Sequence, residues 1–297
     1  MERFPPELLQ EVPCCPLCGG TDRQVVYAHS PCIDVLRCAC GLHYSGMRFT
    51  PEGHDAYWQR YYADEHVADP EAAERRRLMY RMECDHLLRH LDPGARVLDV
   101  GCADGGFLDL FAAEGHVCFG VEFSREAAAK AKEKYPVLVG EFPDLDFKEG
   151  FDAVIFRGVL QYVSRPGAYF GKAVSLLGDE GLVYVTSQPD MDCFCHGLFR
   201  NRFRFSPTPC DVIGFTAPLL EREFSRLGCR LAGETRFYEG TPYADPPKDV
   251  ATVMAALTAR AEGRDVEGTS PAFWGNMMTL VFRKCPKACG RRIREDA

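Results

Sequence analysis

The sequence predicts an α/β fold. A doubly wound, mostly parallel sheet carries helices on both faces, with a small cysteine-rich module before it and an insertion before the last strand. Three observations carry this expectation. From residue 95 onward, short apolar runs alternate with helical patterns, the texture of βαβ units whose strands lie parallel. The first run, Val97-Leu98-Asp99-Val100, feeds a glycine-rich turn that opens a helix. Six of the 15 cysteines fall within the first 50 residues, a stretch with little helical periodicity.

The elements follow in order. Residues 51–91 are aromatic and then charged, and Cys84, Leu87, Leu88 and Leu91 fall at i, i+3, i+4 and i+7, one stripe of a helix. Asp92-Pro93-Gly94 breaks it. After the strand at 97–100, residues 106–114 read as a helix stopped by Gly115. A second strand covers 117–121, and Ser124 caps a helix whose Glu126 sits near its positive end. Strands three and four cover 137–139 and 151–156. Phe170, Ala173, Val174 and Leu177 mark the next helix, closed by Gly178, and a fifth strand covers 182–186. A helix at 215–227, a strand at 229–237, a helix at 249–262 and a strand at 277–282 complete the chain. The expected divisions are 1–50 for the cysteine module, 51–91 for a lid and linker, 92–237 for the core, 238–276 for a helical insertion and 277–297 for the final strand and a basic tail.

Composition narrows the class. The 297 residues are 46% hydrophobic and 26% charged, ordinary for a globular enzyme and too apolar for a disordered chain. The net charge of −8 makes general binding to nucleic acid or an anionic membrane unfavourable. No apolar run approaches the roughly 18 residues that span a bilayer. The start, Met1-Glu2-Arg3-Phe4-Pro5-Pro6, has no charged region followed by an apolar stretch, so no secretory signal is visible and the expected location is cytoplasmic. Fifteen cysteines in a reducing compartment argue for thiolate metal ligands or small buried apolar groups rather than disulfides.

The turn after the first strand is the most informative stretch. Glycine lets backbone approach a ligand closely, and a helix N-terminus offers free N–H groups. A dinucleotide fingerprint wants G-x-G-x-x-G; here Gly101 and Gly105 are separated by three residues with Ala103 in the middle, so that spacing is not met. The stretch Asp99-Val100-Gly101-Cys102-Ala103-Asp104-Gly105 instead resembles the first motif of class I S-adenosylmethionine-dependent methyltransferases, an acidic residue followed by G-x-G-x-G. Ala103 departs at the middle glycine, and its methyl is expected to be tolerable if the backbone keeps a negative φ. Cys102 is expected as a small apolar residue under the turn. Glu122 ends the second strand, 21 residues after Gly101 and followed by Phe123, where a carboxylate can accept from both ribose hydroxyls. The resemblance implies a seven-stranded sheet. It also implies that Asp99, Gly101, Cys102, Ala103 and Gly105 shape the methionine end of the cofactor pocket. Glu122 and Phe123 then hold the ribose side, and Glu141 and Phe142 border adenine. In the segment from Phe151 to Val163, which resembles the family's strand four and its continuation, Arg157 joins the pocket and Tyr162 stands where a histidine is usual. Tyr162 is either a wall of the pocket or a participant in chemistry.

Cys15-Pro16-Leu17-Cys18-Gly19 has the look of a metal knuckle, and Cys38-Ala39-Cys40-Gly41 follows nineteen residues after Cys18. The spacing lies close to four-cysteine zinc spacing. Cys15, Cys18, Cys38 and Cys40 are the expected ligands of a structural Zn2+, with Cys14, Cys32 or His29 as alternatives to Cys40, whose C-x-C pair is one residue short. Four arginines against five acids in the first 50 residues leave no electrostatic footprint for RNA.

Acceptor chemistry belongs outside the carboxyl ends of the strands. Tyr57, Trp58, Tyr61 and Tyr62 form an aromatic cluster, read either as a lid or as packing between modules. In enzymes that this chain resembles, a Pro-Glu-His stretch often precedes the helix after strand five; here it reads Pro209-Cys210-Asp211. Asp211 or His196 is the candidate to deprotonate or orient the acceptor. The expected function is transfer of a methyl group from S-adenosylmethionine to a small molecule: a sugar, a nucleotide-sugar or a natural-product intermediate. The alternatives are a tRNA or rRNA methyltransferase, and a non-catalytic scaffold that binds the cofactor. The oligomeric state is left open.

Overall fold

Val97 and Leu98 are both fully buried, yet they belong to different cores. Neighbouring strand residues point to opposite faces, so a strand apolar at every position is covered on both sides. The computed structural model describes residues 6–30, 33–60 and 70–286. Its central sheet contains β6 (Arg96–Val100), β7 (Val117–Glu122), β8 (Val137–Val139), β9 (Phe151–Arg157), β10 (Leu177–Pro189), β12 (Cys229–Thr235) and β13 (Met277–Lys284) in the order β12-β13-β10-β9-β6-β7-β8. β6 to β10 run parallel, while β13 lies antiparallel between β10 and β12.

One face of the sheet packs Val97, Ile155, Tyr184 and Val281 against α2 (Pro70–Leu88) and α3 (Leu108–Ala113). The other packs Leu98, Phe156 and Phe282 against α5 (Pro166–Leu176) and α7 (Ala217–Arg226). There Phe224 stacks on Phe282 with centroids 4.4 Å apart. Each such fully buried side chain contributes about 1.5–3 kcal/mol.

Local signals set the helix ends. Ser124 accepts from the Ala127 N–H at 3.2 Å and starts α4 (Arg125–Lys132). Helix α3 begins at Leu108, two residues later than its pattern suggests, because Gly105 at φ +85° is still in the turn. Helix α8 (Pro246–Ala261) begins earlier than its apolar pattern, since Asp245 caps it and proline fits the first helical turn.

The cysteine-rich segment forms β2 (Arg23–Ser30), β3 (Ile33–Cys38) and β4 (His43–Ser45). Its sheet is completed by β11 (Ile213–Gly214), where Ile213 pairs with Tyr44 and Gly214 with His43. A separate pair, β1 (Leu9–Glu11) and β5 (Met47–Phe49), leads into α1 (Pro51–Arg60). Leu36, Tyr44 and Cys38 join the same apolar cluster as Phe215 and Leu220. Helix α6 (Phe194–Phe199) and α8 share a third cluster through Phe199, Phe203, Val253 and Ala256. Among the described residues, no helix is long and apolar enough to cross a membrane.

Candidate functional site

From β6 the chain winds one way through β7 and β8, then crosses to the other side for β9 and β10. Such a switch opens a crevice at the carboxyl ends of the two strands that flank it. A cavity of about 470 Å3 sits there, lined by Gly101 after β6, Glu122 at the end of β7, and Arg157, Gly158 and Val159 at the end of β9. That volume is within the range of small-molecule sites.

Glu122 is the organised acid of this cavity. Only 6% exposed, it takes the Ala103 N–H on Oε2 at 3.0 Å and the Ser124 N–H on Oε1 at 2.9 Å. Burial raises its pKa, and the two backbone N–H groups oppose that rise. Each carboxylate oxygen has a second lone pair, so a fixed, bidentate acceptor remains for a pair of neighbouring hydroxyls. Beside it, Phe123 is exposed and meets His54 of α1 edge to face at 5.2 Å. Glu141 and the buried Phe142 also line the cavity; Tyr169 donates to Glu141 Oε2 at 2.5 Å and packs on the Phe142 ring.

The turn works differently from its reading in sequence. Gly101, at φ +85°, lines the cavity, and a methyl there would lie 2.5 Å from Val159 Cγ2. Gly105 instead faces α4, where a methyl would press Ala131 and Tyr135. Ala103 has φ +47°, not the negative value expected; the left-handed form costs an L-residue roughly 1–2 kcal/mol. Its N–H bond to Glu122 offsets part of that strain. Cys102 is buried below the turn, beside Gly120, and does not line the cavity. Asp99 is also beneath it, 2% exposed, with Oδ1 unpartnered. Burial pushes its pKa up to about 7, against the pull of Arg157.

Arg157 lines the cavity through a contact that the sequence did not suggest. Its Nε donates to Glu83 Oε2 at 2.6 Å, and its guanidinium lies over the Tyr80 ring at 4.2 Å. Glu83 is fully buried and also accepts from Thr186 Oγ1 at 2.9 Å and Ser187 Oγ at 2.6 Å. The available signal was a carboxylate on the apolar face of α2, one turn before Leu87. Ser187 has φ +48° at an irregularity in the β10–β13 register. Strained residues and bulges of this kind concentrate at functional sites.

A second cavity of about 340 Å3 adjoins the first and shares Arg157, Ser187, Phe205 and Tyr243 with it. Its far wall comes from Phe237, Tyr238 and Thr241 and from Ala272, Phe273 and Asn276. No motif in the sequence marks this cavity, because its residues come from six separate stretches.

Of the three acceptor-side candidates, Tyr162 lines the first cavity and the other two line neither. His196 is 5% exposed; its Nε2 is 2.8 Å from the Tyr27 hydroxyl and its Nδ1 2.6 Å from the Met191 carbonyl oxygen. Both ring nitrogens are thus occupied, and the Tyr27 contact ties the cysteine-rich sheet to the core. Asp211 receives the Thr208 hydroxyl at 3.4 Å within its own loop. Tyr57 stacks on Phe49 at 5.3 Å. Tyr61, Tyr62 and Cys32, and the side chains of Trp58 and His29, lie outside the described residues.

The four expected metal ligands do come together. The sulfurs of Cys15, Cys18, Cys38 and Cys40 lie within 4.8 Å of one another, with Cys15–Cys40 at 3.6 Å and Cys18–Cys38 at 3.5 Å. Zn–S bonds of about 2.3 Å place the sulfurs of a tetrahedron about 3.8 Å apart. The set therefore fits a structural Zn2+, and the shortened C-x-C pair closes it without Cys14, which is exposed. Burial pushes the Cys15 thiol up and the Cys40 thiol to about 11, while the Gly20 N–H draws Cys18 down. A cation is what lets such buried sulfurs carry charge together.

Residues 72–232 match the family described as "Methyltransferase domain", and the chain belongs to that family. A stretch of 101 residues is 31% identical to the ubiquinone biosynthesis O-methyltransferase of Bradyrhizobium sp. (strain ORS 278). This stretch covers 32% of the chain and 40% of that relative, so well under half of the relative is represented. Two solved structures share the fold. One is from the complex between the Haloferax volcanii Trm112 methyltransferase activator and a methyltransferase, with TM-score 0.55 and 17% identity over 77% of this chain and 97% of that one. The other is the Burkholderia thailandensis 1,6-didemethyltoxoflavin-N1-methyltransferase, solved with 1,6-didemethyltoxoflavin and S-adenosylhomocysteine. It has TM-score 0.52 and 16% identity over 89% of this chain and 99% of that one.

Proposed function

We propose that the protein transfers a methyl group from S-adenosylmethionine to a small molecule held in the adjoining cavity. The observation that carries this reading is Glu122, a carboxylate pinned by two backbone N–H groups at the mouth of the switch-point crevice. Its free lone pairs suit the ribose hydroxyls. Glu141 and the Phe142 ring border the adenine, and the backbone from Gly101 to Ala103 borders the methionine end. When bound, S-adenosylmethionine supplies a methyl already activated by its sulfonium. The chain's part is to position the acceptor and exclude water. Ser187, Arg157, Phe205 and Tyr243 lie where the two cavities meet and line the path between cofactor and acceptor.

Calorimetric titration with S-adenosylhomocysteine tests the cofactor half. Binding is expected, and Glu122→Ala is expected to weaken it by about tenfold or more, the value of losing hydrogen bonds to a charged acceptor. Properly folded protein that releases no heat refutes the reading. The Zn2+ site stands apart from this chemistry: Cys15, Cys18, Cys38 and Cys40 form a closed set with no ligand position left for a substrate.

A further inference from the structure

Several polar side chains on the wall of the second cavity already hold partners, while Tyr243 lies at its junction with the first. Tyr238 donates its hydroxyl to Asp249 at 2.9 Å, Thr241 donates to the Tyr238 carbonyl at 2.7 Å, and Asn276 Nδ2 donates to the Pro271 carbonyl at 2.9 Å. Thr279 and Thr186 share a hydrogen bond at 2.7 Å, and Glu83 is committed to Arg157, Thr186 and Ser187. What remains facing the space is aromatic and thioether surface: Met79, Phe205, Phe237, Phe273 and Met277. A sugar carries a hydroxyl on nearly every carbon. Enclosing one here would strip most of those hydroxyls of water without replacing their partners, at a cost of about 1–3 kcal/mol each. A planar apolar ring incurs no such cost and gains offset or edge contacts with the phenylalanines.

Among the described residues Asn276 Oδ1 lacks a partner and offers one buried acceptor; two further polar groups depart from the pattern, and they differ in kind. Arg204 lines this cavity but not the first, and among the described residues its guanidinium makes no ion pair or hydrogen bond. Ser187 lines both cavities; its proton is given to Glu83, so its oxygen is left as an acceptor toward the space where they meet. The cavity thus offers an anion partner away from the cofactor crevice, an apolar middle, and a hydroxyl acceptor at the junction.

We infer that the second cavity is the acceptor site for an aromatic hydroxy acid, with its ring among Phe237, Phe273 and Met277, its carboxylate at Arg204, and its hydroxyl at Ser187. The inference rests on the cofactor reading above and narrows the acceptor to one chemical class. It selects the natural-product side of the sequence expectation over the sugar side.

The test is calorimetry on the full chain. S-adenosylhomocysteine is titrated first, so that a failure of the cofactor reading shows by itself. The saturated protein is then titrated with protocatechuate, with catechol (the same ring lacking the carboxylate) and with glucose. Protocatechuate is expected to bind about tenfold tighter than catechol, as suits one charge-assisted contact, and glucose not at all. Arg204→Ala should bring the two aromatic ligands to the same affinity, whereas Arg204→Lys should restore part of the difference. Arg204 is exposed, so neither substitution threatens folding. Normal cofactor binding with equal affinity for the two aromatic ligands, with no aromatic binding, or with tighter binding of glucose overturns the inference and leaves the cofactor reading intact.

Discussion

Replacing Arg157 with methionine would strand the Glu83 carboxylate inside the protein. Glu83 has no exposed surface, and Arg157 is 17% exposed. At 2.6 Å the pair is in direct contact, and at an effective dielectric near 20 two charges about 3.5 Å apart attract by roughly 5 kcal/mol. Desolvation offsets much of that gain in the intact protein, but removing one partner leaves the other's desolvation uncompensated, at about 3–5 kcal/mol. The hydroxyls of Thr186 and Ser187 still donate to Glu83, which places Arg157→Met toward the lower end. For a domain of this size the loss lowers Tm by about 10 °C. The double variant Glu83→Met/Arg157→Met removes both charges. Thr186 keeps Thr279 as partner, so its main new defect is one unanswered Ser187 hydroxyl, about 1–3 kcal/mol. The double variant is therefore expected to be at least as stable as Arg157→Met alone. Urea unfolding followed by circular dichroism, with thermal melts as a check, measures all four proteins of the cycle. A single-variant loss below about 1 kcal/mol, or a double variant that costs the sum of the two singles, would refute the argument that this ion pair is a mutually dependent unit.

Three further outcomes are expected. Metal analysis should find one zinc per chain; Cys38→Ser should abolish it and lower Tm, since metal binding and folding of the cysteine-rich sheet are coupled, and an unchanged melt without metal would contradict this. Ala103→Gly should raise stability by about 0.5–1 kcal/mol, because relief of roughly 1–2 kcal/mol of left-handed strain exceeds the added unfolded-chain entropy of about 0.4–1 kcal/mol; a destabilised variant in urea would disprove it. Asp99 has a folded pKa of about 7, above its ordinary 3.8, so the native state holds a proton that the unfolded chain has released. Its contribution is therefore full below about pH 4 and is lost as pH rises toward 7. Asp99→Asn should flatten that part of the stability–pH curve, and an unchanged slope would show that burial does not protonate it.

Much of the fold is legible in sequence because its causes are local. Consecutive apolar residues, such as Val97-Leu98 and 153–156, state that both sides of a strand are covered. Ser124 announces its helix by a cap that needs only the next three residues. Gly101 and Glu122 are readable because the turn and the strand end that hold them are adjacent in every βαβ unit. The cysteine knuckles are readable because a four-thiolate cluster leaves little else for such spacing to mean.

The rest depends on distance along the chain. The left-handed Ala103 follows from a contact with Glu122, nineteen residues away, and no propensity of alanine reveals it. Glu83 carries no mark in the sequence beyond its place on the apolar face of α2, and only the fold sets Arg157 and Ser187 beside it. His196 looks like a loop histidine with chemistry to do, yet the pairing of β11 with β4 and the Tyr27 contact turn it into a packing residue. The second cavity is assembled from α2, the ends of β9 and β10, the loop at 204–205 and the stretches 237–243 and 272–279. Its apolar character exists because the polar side chains there satisfy one another. The sequence by itself determined the sheet, the glycine turn after β6 and the thiolate set, since each arises from residues near in sequence. Only the tertiary structure decided which charges are buried as pairs and which side chains line the second cavity, because desolvation belongs to the assembled surroundings of a group and not to the group itself.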